Sequence, residues 1–359
     1  MQVTDMAKNN NLTDFLQDIA DTIRAKRGIT GPISAQNFAA EISAIEGGET
    51  PTPPTPDVPV IGDGKTYLYI KIAAKGRMTV PLYFSQTVTN GVTIDWGDGS
   101  ATQTLSGTGV KNTTHTYAEI GEYMISLNPS SNCTLGLGYG SSSYCVMGST
   151  GNNGRVYCNM LQAVEIGRNV TSIGNSAFYN CYSLSSIVIP ESVTSIGNSA
   201  FYNCYSLSSI VIPESVTSIG NSVFYNCYSL SSIVIPDGVT SIGNSVFYNC
   251  YSLSSIVIPD GVTSIGNTVF YYCYSLSSIV IPDGVTSIGN SAFQSCYGMA
   301  FYDFSQYTSV PTLGGTSVFS NIPSDCKIVV PDNLYDTWTA ATNWSTHASK
   351  MVKTSEFNS

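Results

Sequence analysis

Hydrophobic and polar positions repeat every 23 residues through the middle of the chain, from about Leu161 to Pro331. The stretch VTSIGNSAFYNCYSLSSIVIPES begins at Val170, and near-copies of it begin at Val193, Val216, Val239, Val262 and Val285. A unit of this length cannot bury its own apolar face, so neighbouring units must stack to close a common core. The pattern therefore predicts a mainly β solenoid of stacked coils.

Each repeat contains a short strand at the place of Leu184-Ser-Ser-Ile-Val-Ile-Pro190 in the first full copy. Side chains alternate across a strand, so Ile187 points into the solenoid while Ser186 and Val188 point outward. The proline has no N–H to donate and ends the strand. Parallel strands about 4.8 Å apart then place equivalent side chains in columns along the solenoid.

The repeat resembles the BspA-like leucine-rich repeat, because it follows the pattern I-G-x-x-A-F-x-x-C-x-x-L-x-x-I-x-I-P. A degenerate copy precedes the regular ones and a looser copy follows them. The ending Pro331-Asp-Asn-Leu-Tyr-Asp-Thr-Trp338, with Asn343-Trp344, is similar to the C-terminal cap of that family. The resemblance implies a leucine-rich-repeat solenoid over residues 161–331 and a C-terminal cap over residues 332–359.

A different pattern covers residues 60–128, which contain short alternating strands such as Thr66–Ile72 and Thr79–Phe84. This part also contains Ile94-Asp-Trp-Gly-Asp-Gly-Ser100, followed by His115-Thr-Tyr117. These motifs resemble the polycystic-kidney-disease (PKD) domain family. The resemblance implies a β-sandwich that acts as a spacer, with the tryptophan and the first glycine at a strand-to-turn corner.

Three further segments complete the predicted organisation. Residues 1–47 carry two short helical patterns, the first with Phe15, Ile19 and Ile23 on one face. So short a segment cannot bury enough apolar surface alone, and we expect it to self-associate or dock onto a partner. Residues 48–59 are rich in Pro and Thr and predict an extended linker. Residues 129–160 are expected to form an irregular cap over the N-terminal end of the solenoid.

The charge composition narrows the classes of partner that we expect. Only 11% of the residues are charged, the net charge is −10, and no Lys or Arg lies between Arg168 and Lys327. Binding to a phosphate backbone needs basic side chains, so nucleic acid is not an expected partner. The sequence also shows no export signal and no apolar run long enough to span a membrane. We therefore expect no membrane insertion, and assembly in the cytoplasm.

Most of the cysteines belong to the repeat. Of the ten cysteines, seven lie at a constant spacing of 23, namely Cys158, Cys181, Cys204, Cys227, Cys250, Cys273 and Cys296. Such a period does not indicate a disulfide framework. Soft-metal sites usually need clusters such as C-x-x-C, which the chain lacks, and cysteine packs well as a small apolar residue. The sequence predicts a buried, reduced cysteine column and no metal site.

The sequence shows no constellation of catalytic residues. Its two histidines, His115 and His347, lie near no nucleophile motif of the G-x-S-x-G type. Asp63, Asp95 and Asp98 lie in glycine-containing turns whose spacing lacks the calcium-loop pattern, so plain turns are preferred over calcium binding. The sequence therefore predicts that the protein is not an enzyme and needs no cofactor.

The outward columns of the repeat are the candidate ligand-binding residues. Tyrosine offers apolar area and a hydroxyl group at low entropic cost. The alternative is that the tyrosines only shield the turns and stiffen the stack. The predicted binding residues are Tyr182, Tyr205, Tyr228, Tyr251 and Tyr274, Ser186, Ser209, Ser232, Ser255 and Ser278, and Val188, Val211, Val234, Val257 and Val280. A second column is formed by Tyr179, Tyr202, Tyr225, Tyr248 and Tyr271.

The predicted order is a helical anchor, a spacer and a rigid repeat surface. This order is typical of a protein that presents a recognition surface at a distance from the structure to which its N-terminus is attached. The segments Leu12–Lys26 and Ile33–Phe38 resemble N-terminal segments of phage tail and other virion proteins. Our first hypothesis is a non-enzymatic, homo-oligomeric phage virion protein, in a tail or fibre. It would attach to a virion structural protein through its N-terminal segment and bind a host cell-surface glycan or protein through its repeats.

Two other classes remain open. The principal alternative is a bacterial adhesin of the BspA-like type, located at the bacterial cell surface. The third class is a glycan-processing enzyme.

Overall fold

The computed structural model describes residues 62–138, 144–149 and 158–357. The helices predicted within residues 1–47 and the linker of residues 48–59 lie outside this range. None of the helices among the described residues is long and apolar enough to cross a membrane.

The strands before the repeats are short and mostly antiparallel. They are β1 (Thr66–Ile72), β2 (Thr79–Gln86), β3 (Val92–Asp95), β4 (Gln103–Thr104), β5 (Gly109–Thr116), β6 (Gly121–Pro129), β7 (Leu135–Gly136), β8 (Tyr144–Cys145) and β9 (Gly148–Ser149). The strand predicted at Thr66–Ile72 is confirmed, and the one predicted at Thr79–Phe84 extends to Gln86. In β2 every second side chain is buried, as alternation across a pleated strand requires.

Seven of these strands form two sheets over one core, and β8 and β9 form a separate hairpin. The first sheet contains β4, β3, β6 and β1 in that order, and the second contains β5, β2 and β7. Leu68, Leu82 and Ile125 are fully buried members of the same hydrophobic cluster. The relation of this part to the PKD family stays a prediction.

The strands of the repeats are parallel. Together with the strands at either end of the solenoid, they are β10 (Leu161–Glu165), β11 (Ser172–Ile173), β12 (Ser186–Val188), β13 (Ser195–Ile196), β14 (Ser218–Ile219), β15 (Ser232–Val234), β16 (Ser241–Ile242), β17 (Ser255–Val257), β18 (Ser264–Ile265), β19 (Ser278–Val280), β20 (Ser287–Ile288), β21 (Phe301–Asp303), β22 (Thr312–Leu313), β23 (Lys327–Val330) and β24 (Met351–Lys353). Ser195 pairs with Ser218 and Ile196 with Ile219, in the register of the repeat. The predicted solenoid is therefore confirmed.

Columns of equivalent apolar residues fill the solenoid. The buried positions of the first coil are Val170, Ile173, Ala177, Phe178, Cys181, Leu184 and Ile187. The phenylalanine rings of successive coils stack with centroids 5.2–5.7 Å apart. Two asparagine ladders add hydrogen bonds at the turns, since Asn198 N donates to Asn175 Oδ1 at 2.8 Å and Asn203 Nδ2 donates to Asn180 Oδ1 at 2.7 Å.

The part before the repeats and the solenoid share one sheet. β1 pairs antiparallel with β10, and β10 pairs parallel with β12. On the other face of the first coil, Leu137 bridges Ile173, and Val146 N donates to Ala177 O at 2.9 Å. The pairing removes the open edge that the first repeat strand would otherwise present. Residues 62–138 are thus continuous with the solenoid, which differs from the separate spacer that the sequence implies.

The last coil is covered by C-terminal residues. They form the 3₁₀ turns Asp332–Leu334 and Ser345–Lys350, α1 (Tyr335–Ala340) and α2 (Thr354–Phe357). β24 pairs parallel with β23, so the ladder continues beyond the predicted boundary at residue 331. Trp338 and Trp344 are buried with their ring centroids 4.5 Å apart, and Trp344 Nε1 donates to Pro311 O at 2.7 Å.

Candidate binding surface of the solenoid

The strand face of the solenoid carries the predicted serine and valine columns. Ile187 is buried, while Ser186 and Val188 on either side of it are half-buried, which confirms the predicted alternation. Exposure varies along the valine column without a trend, because Val188 and Val234 are half-buried whereas Val211, Val257 and Val280 are 58%, 44% and 42% exposed. Ser186 departs from its equivalents, since its Oγ atom is buried with no hydrogen-bond partner among the described residues. The accessible part of this face therefore begins at the second coil, with Val211.

The first tyrosine column lies in the turn before the strand. Its rings belong to Tyr182, Tyr205, Tyr228, Tyr251 and Tyr274, with centroids 4.5–4.8 Å apart and planes within 18° of parallel. Each interior ring covers the faces of its neighbours and is half-buried. The ring faces, which the sequence analysis offered to a ligand, therefore stack on the neighbouring tyrosines instead. Outward, these tyrosines present ring edges and hydroxyl groups.

The second tyrosine column has the same stacked geometry. Its rings belong to Tyr179, Tyr202, Tyr225, Tyr248 and Tyr271, with centroids 4.4–4.9 Å apart. Partial burial, together with the neighbouring phenols, raises the pKa of Tyr202 and Tyr225 above the ordinary value. These side chains therefore stay neutral near pH 7.

Tyr272 joins the two columns. Its ring lies edge-on to Tyr271 of the second column, with centroids 4.3 Å apart and planes at 82°, and contacts Tyr274 of the first column at 5.5 Å. It also lies edge-on to Tyr248 at 6.2 Å. A hydrogen bond with Tyr272 and partial desolvation raise the pKa of Tyr271 to about 12. We call Tyr248, Tyr271, Tyr272 and Tyr274 the tyrosine junction.

The backbone at Tyr272 is strained. Its φ angle is 62°, in the left-handed region that costs a residue with a side chain about 1–2 kcal/mol. Asn180, Asn203, Asn226 and Asn249 occupy the equivalent place in the four preceding coils. Asparagine tolerates this conformation better than an aromatic residue does. Sequence reasoning missed Tyr272, although the fifth coil differs from the fourth only there and at Thr268.

The surface around the columns carries no positive charge. No Lys or Arg occurs between Arg168 and Lys327. One exposed acid per coil lies in the turn after the strand, namely Glu191, Glu214, Asp237, Asp260 and Asp283. An anionic ligand would meet like charges here without a basic partner.

The aspartates of the first part act in turns, as predicted. Asp95 Oδ1 accepts a hydrogen bond from Gly97 N at 2.9 Å, and Asp98 Oδ1 accepts one from Ser100 N at 3.1 Å. The other Asp98 oxygen lies 2.7 Å from His115 Nε2. The hydrogen bonds with Ser100 and His115 hold the pKa of Asp98 at about 2. Both aspartates are therefore occupied by local contacts.

The cysteine column is buried, as predicted. All ten cysteines are buried free thiols. Cys204 Sγ donates to Phe178 O at 3.3 Å, and the same contact recurs down to Cys296. Burial raises the pKa of Cys227 and Cys250 well above the ordinary value. A thiol in such surroundings is a packing residue and not a nucleophile.

At its N-terminal end, where Cys158 and Cys181 lie, the column meets one further thiol. The Sγ atoms of Cys145, Cys158 and Cys181 all lie within 4.8 Å of one another. Hydrogen bonding with Cys145, together with burial, raises the pKa of Cys158, and burial raises that of Cys181. Residue spacing could not reveal this group, because Cys145 lies outside the 23-residue period.

The fold defines a repeat protein whose surface carries columns of equivalent side chains. A family described as BspA type leucine rich repeat region matches six copies over residues 151–276 and 240–342. These matches reach over more than half of the 359 residues. The chain therefore belongs to this family.

Solved structures show related chains. A leucine rich cell surface protein from Faecalibacterium prausnitzii A2-165 is 40% identical over 44% of this chain and 43% of its own, with a TM-score of 0.40. A leucine-rich repeat protein from Bacteroides ovatus ATCC 8483 is 24% identical over 55% of each chain, with a TM-score of 0.44. The chain thus spans about half the length of these two proteins. No curated protein matches.

Proposed function

We propose that this chain is a non-enzymatic adhesin of a bacterial cell surface, and that its solenoid binds a neutral glycan of a host surface. The observation that carries the proposal is the tyrosine junction. There a strained tyrosine takes the place of the ladder asparagine and joins both tyrosine columns.

Tyr272 lowers the stability of the coil in two ways. A tyrosine at a φ of 62° costs about 1–2 kcal/mol. The Oδ1 atom of Asn249 is also left buried with no hydrogen-bond partner among the described residues, at a cost of about 1 kcal/mol or more. The edge-on ring contacts offset part of this loss. Backbone outliers of this kind cluster at binding sites. The rest of the lost stability would then be offset by contacts with a ligand.

The chemistry around the junction suits a neutral, hydroxyl-rich ligand. Tyrosine combines apolar ring area with a hydroxyl group that donates or accepts. The strand face adds exposed serine hydroxyls and the exposed valines Val257 and Val280. Without basic side chains and with one acid per coil, the surface disfavours sialic or uronic acids.

Repetition favours attachment to a polymer. Successive coils present equivalent hydroxyl groups and ring edges with a ring spacing of 4.5–4.8 Å. A weak contact that recurs along a rigid rod gains strength through effective concentration. Binding would therefore be strongest at the junction and supported by the neighbouring coils.

Family membership favours the cell-surface adhesin over the virion component. The phage-tail-like segments fall within residues 1–61, outside the described residues, and the family match begins at residue 151. Attachment to a virion protein and homo-oligomerisation through residues 1–47 stay predictions, as does the PKD-like character of residues 60–128. A host surface protein is the alternative ligand.

The experiment measures binding of the full chain to a glycan array and to host cells. The variant is Tyr272→Asn, which restores the residue that four other coils use, and the matched control is Thr268→Ser, which restores the other departure of the fifth coil. We expect Tyr272→Asn to weaken binding about 30-fold, the size of a binding hot spot, and Thr268→Ser to bind like the parent.

A second variant tests the distributed contribution. Tyr205→Ala, Tyr228→Ala and Tyr251→Ala together should weaken attachment more than any one of them. Far-UV circular dichroism must remain native in each protein. Unchanged binding by both Tyr272→Asn and the triple variant would show that the solenoid is a stalk. Recognition would then have to be sought in the PKD-like residues 60–128 or in residues 129–160.

A further inference from the structure

Three buried thiols meet where the first coil contacts the strands before it. Cys145 belongs to β8, Cys158 precedes β10 and is the first member of the cysteine column, and Cys181 is the second. Their Sγ atoms lie within 4.8 Å of one another, and the three residues are at most 1% exposed. This arrangement, which we call the three-thiol cluster, differs from the rest of the column, where each thiol donates to a phenylalanine carbonyl.

We propose that the three-thiol cluster binds one thiophilic d¹⁰ cation, of the Cu(I) or Zn(II) type, through three thiolates. The three S–H bonds are replaced by three sulfur–metal bonds, and the three protons pass to solvent. The bound ion would tie the β8–β9 hairpin to the first coil. This inference is independent of the proposed adhesin function.

The geometry suits such an ion. A metal–sulfur distance of about 2.3 Å places three sulfurs around one centre about 4 Å apart. The observed limit of 4.8 Å then requires each pair of sulfurs to close by at most about 1 Å. No chain rearrangement is needed for a shift of this size, because rotation about the Cα–Cβ bonds moves the sulfurs farther than that.

The composition of the cluster favours soft ions. Thiolates select Cu(I) and Zn(II) over hard cations such as Ca²⁺ and Mg²⁺. Among the described residues the group contains no histidine or carboxylate. Zinc sites usually have four ligands, and this group offers only three ligand atoms. Trigonal Cu(I) is therefore the better fit of the two ions.

An ion can approach the cluster from one side. Cys145 lines a cavity of about 190 Å³ together with Tyr83, Val110 and Gly138. Val110 is 41% exposed, so this cavity begins at the surface of the second sheet. The cavity extends to Cys145 and provides the entry path that a buried site needs.

The site also acts on stability. Val146, next to Cys145, accepts a hydrogen bond from Tyr83 N at 2.9 Å and donates one to Ala177 O at 2.9 Å. The hairpin therefore already bridges β2 and the first coil. An ion that binds only the folded arrangement stabilises it further, by an amount that rises with free metal concentration.

The test loads the full chain anaerobically, after reduction and removal of metals by a chelator. The probes are Cu(I), supplied as its acetonitrile complex, and Zn²⁺ in a parallel sample. We expect one equivalent of copper or zinc to remain after desalting, a thiolate-to-copper charge-transfer band in the copper arm, and proton release on binding. Extended X-ray absorption of the loaded protein should show three sulfur neighbours at about 2.3 Å.

Matched variants locate the ion. Cys145→Ser, Cys158→Ser and Cys181→Ser should each weaken retention by at least about 100-fold, since even outer-shell changes cost up to that much. Cys250→Ser is the control, because Cys250 is an equally buried thiol in the middle of the column. It should bind like the parent.

Three results would each overturn the proposal. They are no retained copper or zinc in the parent protein, equal retention in Cys181→Ser and the parent, and a disulfide between two of the three cysteines in anaerobically isolated protein. The X-ray absorption readout needs no variant, so it decides the question even where a serine substitution prevents folding.

Discussion

Asn249 Nδ2 donates to Asn226 Oδ1 at 2.7 Å, and this bond is the last of the inner asparagine ladder. The next equivalent residue is Tyr272, which has no side-chain amide and so cannot donate the next hydrogen bond of the ladder. The Oδ1 atom of Asn249 is consequently buried with no hydrogen-bond partner among the described residues. Stability and the proposed binding function therefore oppose each other at one residue.

The first prediction follows from this relationship. Tyr272→Asn should raise the free energy of unfolding by about 1–2 kcal/mol, because it extends the ladder by one hydrogen bond and relieves a strained aromatic residue. Loss of the edge-on ring contacts reduces the gain. Equilibrium urea unfolding of the full chain measures the difference.

The reverse substitution is the control. Asn226→Tyr interrupts the ladder inside the stack and should lower stability, since Asn226 bonds to both Asn203 and Asn249. A Tyr272→Asn protein that is less stable than the parent would mean that the tyrosine contacts outweigh both the strain and the lost hydrogen bond.

A second prediction concerns the close approach of successive coils. A Cβ atom added at Gly220 would lie 2.6 Å from Asn198 N and 2.8 Å from Gly197 C, both backbone atoms of the preceding coil. Backbone cannot move aside as a side chain can, so Gly220→Ala should cost about 1–3 kcal/mol. Thermal and urea unfolding of the full chain would measure this loss.

Gly261 provides the matched control for Gly220. A Cβ atom there meets only Asp237 O at 3.4 Å and Val239 O at 3.9 Å. Ser215 occupies the equivalent place two coils earlier and donates through Oγ to Val193 O. Gly261→Ser should therefore leave stability unchanged or slightly higher. Equal losses in Gly220→Ala and Gly261→Ser would contradict the assignment of Gly220 to coil contact.

Much of the solenoid could be predicted because each regular coil has the same neighbours. The 23-residue period and the alternation of side chains along a strand place Ile187 inward and Val188 outward. They also place Cys204 in a buried column, because the surroundings of one coil repeat in the next. The tyrosine columns also follow from the period. Their ring orientation does not, because stacking within the column depends on side-chain angles that a one-dimensional pattern leaves open.

The rest depended on contacts between distant or unique residues. The pairing of β1 with β10 joins segments that no repeat relates, and it decides that the first part covers the solenoid. Cys145 reaches Cys181 only as a result of that arrangement. Tyr272 stood in the sequence as a departure from its repeat, but its role in joining two columns needed the backbone conformation.

The third prediction is that the solenoid thiols from Cys204 to Cys326 are inert in the native protein. The thiolate is the reactive form, and burial raises the pKa of Cys296 to about 12 and that of Cys326 to about 11. Alkylation of these six thiols in metal-free native protein at pH 8 should therefore be slow, while denatured protein should titrate as ten free thiols. Fewer than four free thiols after denaturation would show that the column is oxidised.

The fourth prediction concerns His347 in the C-terminal cap. The residue is buried, its Nε2 atom has no hydrogen-bond partner among the described residues, and its ring lies edge-on to Phe319 at 5.3 Å. Burial lowers the pKa of His347 below its ordinary value of 6.5, and nearby Lys350 acts in the same direction. The folded protein thus holds the imidazole neutral, whereas the unfolded chain protonates it.

The sign of the pH dependence follows. Between the lowered folded pKa and 6.5 the unfolded chain binds more protons, so the free energy of unfolding should fall as the pH drops below about 6.5. One group can contribute a slope of at most about 1.4 kcal/mol per pH unit. Urea unfolding at pH 7.5, 6.5 and 5.5 should show this slope in the parent and a shallower one in His347→Gln.

His115 is the only other histidine, so His115→Gln is the control and should keep the slope that His347 contributes. Parallel pH profiles for the parent and His347→Gln would mean that the cap accommodates the charged imidazole.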